Sequence, residues 1–349
     1  METIWFVLVA VMVAVYVLLD GFDLGAGAIH LFVARTNEER RQVIATIGPV
    51  WDGNEVWLLA AGGCLYFAFP ALYASSFSGF YLPLMIVLWL LILRGTAVEF
   101  RNHIQSPVWI PLWDFVFFLA SLLLAVFFGA ALGNVVRGVP LDATGYFFEP
   151  LWTNFRLSEH TGILDWFTII VGVQALLALM MHGGLWVQLK TQGDVSKRAG
   201  QVAGLVWWGV LVLTAVVTGV TFVIQPQVIA NFHTWPAGYV LPIIAVIGFA
   251  ALKFELFRKN ERNAFLASCI FFLGMLTSVV FGVYPMVLPA RNPAFSLTVE
   301  NAKAANYGLK IGLIWWVIGM ALATVYFVYV YRSFAGKVTE TPDSAGHGD

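Results

Sequence analysis

METIWFVLVAVMVAVYVLL, residues 1–19, carries no charged side chain after Glu2 and runs directly into Asp20-Gly21-Phe22-Asp23. A secretory signal peptide has a basic start before its apolar run and a small-residue cleavage site after it. This stretch has neither, so it reads as a retained first transmembrane helix. The same texture recurs along the chain. With about 20 mostly apolar residues to a crossing, nine spans fall at 4–32, 51–73, 77–98, 112–135, 162–187, 202–224, 237–257, 264–286 and 308–331. Spans two and three are divided only by Phe69-Pro70-Ala71-Leu72-Tyr73-Ala74-Ser75-Ser76. This reads as a tight turn around a proline that lacks a backbone donor, which makes eight the fallback count.

Composition agrees. Of 349 residues, 60% are hydrophobic and 11% charged, where a soluble domain carries about 25% charged residues to hydrate its skin. Lipid must cover what water cannot. The net charge of -1 argues against a nucleic-acid partner. Cys64 and Cys269 both sit in apolar runs and form neither a disulfide framework nor a metal-ligand spacing. There is no HExxH, CxxC or P-loop pattern. Gly21 to Gly27 is glycine-rich but lies within a span, where glycines allow helices to approach closely. Trp109, Trp113, Trp152, Trp186 and Trp235 sit near span ends, as interfacial anchors do.

Basic residues accumulate on the cytoplasmic side of membrane proteins. The odd-numbered connections, with the C-terminal tail, hold fourteen of the nineteen Lys and Arg. That contrast depends on nine spans and places the N-terminus outside and the C-terminus in the cytoplasm. Short connections make sequential helices antiparallel neighbours. The chain thus reads as an all-α integral membrane protein of about nine transmembrane helices, two four-helix bundles plus one peripheral helix. The first bundle covers 1–135 and the second 162–286. Outer connections cover 136–161 and 287–307, the peripheral helix 308–332, and a disordered inner tail 333–349. Thr36-Asn37-Glu38-Glu39 has the form of a capping box and predicts a short interfacial helix in the first inner loop.

Ionisable groups inside spans are costly and face bundle interiors or water. Asp20 and Asp23 lie near the inner end of span one, Asp52 and Glu55 open span two, Glu99 closes span three with Arg94 and Arg101, and Asp114 begins span four. Asp20/Asp23 and Asp52/Glu55 are i,i+3 pairs, each on one helix face. Asp52, just after Gly48-Pro49, is also favoured by the helix dipole. Two readings fit the set: an ion or proton entry route, or ordinary interface ion pairs. Of the six histidines, His30 and His182 lie at similar depth near inner helix ends, so a haem held between them is a third possibility.

The strings themselves narrow the choice. Asp20-Gly21-Phe22-Asp23-Leu24-Gly25, then Gly48-Pro49-Val50-Trp51-Asp52-Gly53-Asn54-Glu55-Val56-Trp57-Leu58, then Phe77-Ser78-Gly79-Phe80-Tyr81 resemble subunit II of the cytochrome bd quinol oxidases. Arg94-Gly95, Glu99-Phe100-Arg101, Trp113-Asp114, Phe128-Gly129 to Gly133-Asn134, Tyr284-Pro285, Ser296-Leu297-Thr298 and Asn301-Ala302 continue the likeness. It spans the chain and is densest in the first 135 residues.

The resemblance implies a multi-pass subunit of the bacterial cytoplasmic (inner) membrane, with periplasmic outer connections. Its complex would oxidise quinol and reduce dioxygen to water, taking protons from the cytoplasm. Haems b and d would sit on the partner, the haem-bearing subunit I. Small single-helix accessory subunits and a structural quinone accompany some members. By the same resemblance Asp52 and Glu99 belong to a proton route, with Asp20, Asp23 and Asp114 beside them and Glu55, Arg94 and Arg101 in support. Some members carry Asp where this chain has Glu99. The rival readings are an ion-coupled transporter and a haem-b electron carrier using His30 and His182.

Overall fold

The structure, a computed structural model, describes residues 1–158 and 161–338. Twelve α-helices carry the described chain: α1 Glu2–Val33, α2 Asn37–Ala45, α3 Trp51–Ala68, α4 Pro70–Gly79, α5 Tyr81–Phe100, α6 Trp109–Arg137, α7 Trp166–Lys190, α8 Gly193–Ile224, α9 Pro226–Thr234, α10 Val240–Phe257, α11 Glu261–Val283 and α12 Asn306–Ser333. The only strands among the described residues, β1 Met286–Leu288 and β2 Leu297–Thr298, pair antiparallel.

Among the described residues, eight helices are long and apolar enough to cross a membrane: α1, α5, α6, α7, α8, α10 with the 3₁₀ turn before it, α11 and α12. The one missing from the expected nine is span 51–73. Its first turns carry Asp52, Asn54 and Glu55, and the helix stops at Ala68. The segment from Phe69 to Ser76 is not the expected turn. Pro70 starts a new helix, α4, where its missing N–H costs nothing. Even so, α3 runs antiparallel along α1. Asn54 at its start bonds to Leu19 and Asp23, and Phe67 near its end meets Trp5, with ring centroids 5.2 Å apart.

Helix α1 is the hub and packs against α3, α6, α7 and α11. Its closest approach is to α7, through two glycines. A Cβ on Gly25 would lie 1.9 Å from the Leu179 carbonyl oxygen, and one on Gly183 would lie 2.2 Å from the Ala26 nitrogen. Backbone touches backbone there, as small residues allow between membrane helices. Helix α12 is peripheral, with Leu309 its one buried residue, and leans on α1 and α3 through Trp316, Phe327 and Tyr331.

One end of the bundle, the Arg101 end, holds α2, the α5–α6 loop and the end of α12. At the other, the Arg137 end, the connections after α6 and α11 fold together over Trp5, Phe69 and Leu309. The capping box of α2 is present, with Thr36 accepting from the Glu39 amide and Glu39 from the Thr36 amide. Past α12, Lys337 Nζ reaches Glu261 at 2.6 Å and the Val338 amide donates to Lys190 O at 2.7 Å. The remainder of the expected disordered tail lies outside the described residues.

Candidate functional site

Thirteen residues separate Asp20 from Val33, the end of α1, which at 1.5 Å per residue puts Asp20 about 20 Å from that end. The acids of α1 therefore lie deeper than the sequence places them. The reason is length: α1 extends well past the level where α3 begins, and α2 with residues 46–50 folds back to fill the space below α3. Ile44, Ile47 and Val50 pack there against Phe22, Ala26 and Ile29.

At that depth Arg94 of α5, fully buried, donates from Nη1 to Asp20 Oδ1 at 2.6 Å and from Nη2 to Glu55 Oε2 at 2.7 Å. One turn along α1, Asp23 accepts from Asn54 Nδ2 at 2.8 Å, and Asn54 Oδ1 accepts from the Tyr331 hydroxyl at 2.8 Å. Each aspartate keeps one buried oxygen, Asp20 Oδ2 and Asp23 Oδ1, without a partner among the described residues. Two carboxyl groups, Asp20 and Glu55, therefore share one guanidinium, with Asp23 beside them on an amide. A buried carboxylate needs pairing or protonation, and Asp23, with only an amide, has the weaker anchor for a charge.

The neighbours of this core lie on the outside. Asp52 is exposed in the first turn of α3, one helical turn before Glu55. Glu99 is exposed near the end of α5, where Trp51 Nε1 donates to it at 3.2 Å. Glu55 is the intermediate, its side chain 23% exposed while it holds Arg94. A graded series thus runs from the open α3/α5 edge into the bundle: Asp52 outside, Glu55 at the rim, Arg94 and Asp20 inside.

Asp114 belongs to a second cluster, nearer the end of α1. Its Oδ1 meets His30 Nε2 at 2.9 Å and Arg101 Nε at 2.5 Å, while Oδ2 meets Arg40 Nη1 and Arg101 Nη2, both at 3.2 Å. Arg101 also donates to Asn37 Oδ1 at 2.7 Å. His30 and Asp20 are ten residues apart on α1, about 15 Å along the axis. The expected set of acids therefore resolves into two assemblies, and Arg94 and Arg101 serve one each. Asp114 is fully paired and suited to pinning α1, α2, α5 and α6 together.

His182 lies elsewhere. Its Nε2 donates to the Leu18 carbonyl at 3.0 Å, its Nδ1 meets Ser268 Oγ at 2.7 Å, and its ring stacks on Phe265. Leu18 and His30 are twelve residues apart, about 18 Å along α1, so no single iron lies within reach of both imidazoles. A haem between His30 and His182 does not fit. Among the described residues, no group of three or more His, Cys, Asp or Glu could hold a metal ion. Trp186 is also not the expected interfacial anchor: it is buried, stacked on Phe22, and donates to Thr46 O at 3.1 Å.

Sequence reasoning missed Asn54, Tyr331 and Arg40 as members of these clusters. Asn54 sits inside the quoted Trp51–Trp57 string, so a signal was present. Tyr331, some three hundred residues from Asp23, had none. Also missed was a buried group at the Arg137 end. There Arg137 pairs with Asp165 and with Glu149 at 2.8 Å, Asn134 accepts from it at 2.6 Å, and Arg291 meets Glu149 at 2.5 Å. Burial pushes the Glu149 carboxyl up, and the two arginines draw it back only in part. Asp165 also caps α7, so this group ties the two long connections to the ends of α6 and α7.

Residues 1–334 match the family described as cytochrome bd terminal oxidase subunit II. A probable cytochrome oxidase subunit 2 of Haemophilus influenzae is 32% identical, over 96% of this chain and 94% of its own length. The cytochrome bd ubiquinol oxidase subunit 2 of Bacillus subtilis is 31% identical, over 95% and 96%. The fold is similar to a chain of the bd oxidase from Geobacillus thermodenitrificans, with a TM-score of 0.75 at 17% identity over 95% of this chain and 98% of that one. With the whole helical chain matched and the Trp-Asp-Gly-Asn-Glu-Val-Trp string at the mouth of its buried acids, this protein belongs to the subunit II family of the cytochrome bd terminal oxidases.

Proposed function

We propose that this chain is the haem-free subunit of a quinol oxidase in a bacterial inner membrane, and that it takes up protons for a haem-bearing subunit I. In this reading haems b and d lie on the partner, and quinol and dioxygen are substrates of the complex. Small single-helix subunits and a structural quinone are further candidate components. The N-terminus is outside, the C-terminus cytoplasmic, and α3 is the ninth crossing, so the Arg101 end faces the cytoplasm. The observation that carries this reading is the graded series Asp52, Glu55, Arg94, Asp20, in which one exposed carboxylate leads to a buried one through a shared guanidinium.

Each residue has a task in that series. Asp52 and Glu99, exposed on α3 and α5, collect protons from water and sit on the bare edge that a partner subunit would cover. Glu55 is within reach of both sides and passes a proton inward when it changes places with water at Arg94. Arg94 bridges Glu55 and Asp20, and Asp23, held only by the Asn54 amide, is the group that carries the proton in this reading. Asn54 and Tyr331 fix the orientation of Asp23. In this reading the oxidase chemistry lies on the partner, and no step of it is assigned to this chain.

The decisive experiment co-expresses the complex with Asp52→Asn. Proton uptake from the inner side, followed with a pH dye in reconstituted vesicles, should slow together with quinol oxidase turnover. Unaltered uptake and unaltered turnover would remove Asp52 from the route. A fully assembled complex with normal haem spectra is required in either case, and it separates a proton defect from an assembly defect.

A further inference from the structure

Below the end of α1, between α2 and the α5–α6 loop, lies an open hollow of ≈ 430 Å³ lined by Arg35, Asn37, Arg40, Gln105, Pro107 and Pro111, among others. It is separate from the Asp20 cluster and plays no part in the proton series. We propose that this hollow is a headgroup site for an anionic phospholipid, with the lipid phosphate held between Arg35 and Arg40.

Charge is the first argument. The Arg35 guanidinium makes no hydrogen bond or ion pair among the described residues. Arg40 spends one Nη on Asp114 at 3.2 Å, and its side chain, 28% exposed, has no other partner among the described residues. Of the nearby acids, Asp114 is already shared by Arg40, Arg101 and His30. Glu39 is taken by Arg198 at 2.5 Å. Glu38, exposed on α2, is the remaining acid nearby, so two arginines face one carboxylate and the hollow is left net positive. Guanidinium forks match phosphate oxygens in pairs, and the amides of Asn37 and Gln105 add donors at the rim.

The second argument is what adjoins it. On α6, Pro111, Phe115 and Phe118 fall at i, i+4 and i+7, one helix face. Phe32 of α1 stands beside them, its ring centroid 5.7 Å from that of Phe118, and Phe115 is 6.5 Å from Phe118. Phe32 and Phe115 are 58% and 50% exposed. An apolar lane thus descends from the basic hollow along α1 and α6, into the depth that lipid chains occupy. Basic pockets between helix ends with apolar flanks accept phospholipid headgroups. A free phosphate would use the arginines and ignore the lane.

Native mass spectrometry of the whole complex, delipidated in neutral detergent, tests this. Wild type, Arg35→Gln, Arg35→Lys and Lys197→Gln are titrated with phosphatidylglycerol, phosphatidylcholine or inorganic phosphate. Wild type should hold one phosphatidylglycerol in preference to phosphatidylcholine. Arg35→Gln should weaken it about fivefold, Arg35→Lys less, and Lys197→Gln, an exposed charge at the same end, not at all. Equal retention by wild type and Arg35→Gln would overturn the proposal, as would equal loss in Lys197→Gln. Displacement of the lipid by equimolar inorganic phosphate would reduce the hollow to a free-anion site and overturn the lipid assignment.

Discussion

Arg94 Nη1 lies 2.6 Å from Asp20 Oδ1, with both side chains sealed from solvent about 20 Å from the end of α1. A buried pair of this kind contributes little net stability as a pair, yet removing one partner leaves a stranded charge and costs about 3–5 kcal/mol. Arg94→Gln should therefore lower the yield of assembled complex and its melting temperature. Asp20→Asn in the same chain should restore much of that stability, because the sealed carboxylate is then gone and only Glu55, 23% exposed, is left without Arg94. Turnover should stay low in the double variant. Recovery of full turnover would mean that the pair only holds helices together.

Asp23 and Asn54 make a gentler contrast. Asp23 is anchored by one amide at 2.8 Å, and its second oxygen is bare. Asp23→Asn keeps the shape and should leave melting within about 1 kcal/mol of wild type, the scale of one neutral hydrogen bond. Proton uptake should fall in this variant while haem content stays normal. Asn54→Leu removes the anchor from both Asp23 and Tyr331 and should destabilise more than Asp23→Asn does. The reverse order, read by differential scanning fluorimetry, would show that Asp23 matters for packing rather than for protons.

What the sequence could reveal follows from which information is local. Spans are local, since twenty apolar residues in a row announce themselves, and eight long apolar helices stand where such runs were read. The α3/α4 break was harder, because Pro70 serves a turn or a helix start equally well, and only the packing of α4 on Ser75–Gly145 and Gly79–Phe147 settled it. The acids were legible as a set, since charge inside a span is rare. Their division into two clusters was not. It depends on how far α1 runs past α3, and on whether Arg94 and Arg101, seven residues apart, reach the same acid. They do not. Tyr331 and the Arg137–Glu149–Asp165 group join segments remote in sequence, and no spacing rule links them.

The α1–α7 crossing rests on glycine. Gly25→Ala would set a methyl 1.9 Å from a backbone oxygen, where no side chain can yield. Overpacking costs about 1–3 kcal/mol and occasionally more, and a backbone clash belongs at the upper end. Gly25→Ala should sharply reduce the assembled complex in membranes. Gly219→Ala on α8, with nothing within 4 Å, should be neutral or stabilise slightly, because alanine favours helix. Immunoblotting of membrane fractions with haem quantitation checks both. Normal assembly of Gly25→Ala would mean that α1 and α7 separate without consequence.

At the Arg101 end, Glu39 ties α2 to α8. Burial alone would raise its carboxyl, but the hydrogen bond from Arg198 at 2.5 Å and those from the Arg35 and Thr36 amides outweigh it and hold it below the ordinary 4.5. A carboxyl lowered by folding adds stability that is fully present above its unfolded value and lost as pH falls through the folded one. The tie should therefore be intact at pH 6 and fail progressively below about 4.5. Hydrogen exchange of the α2 amides, corrected for the intrinsic slowing of exchange at lower pH, should rise over that range in wild type. In Glu39→Gln the same amides should already exchange faster at pH 6 and change little on acidification. With the side chain 23% exposed, the stability difference should stay near the upper end of surface ion pairs, about 1 kcal/mol. An α2 whose exchange in wild type is flat from pH 6 to pH 3.5 would show that the capping box alone holds it.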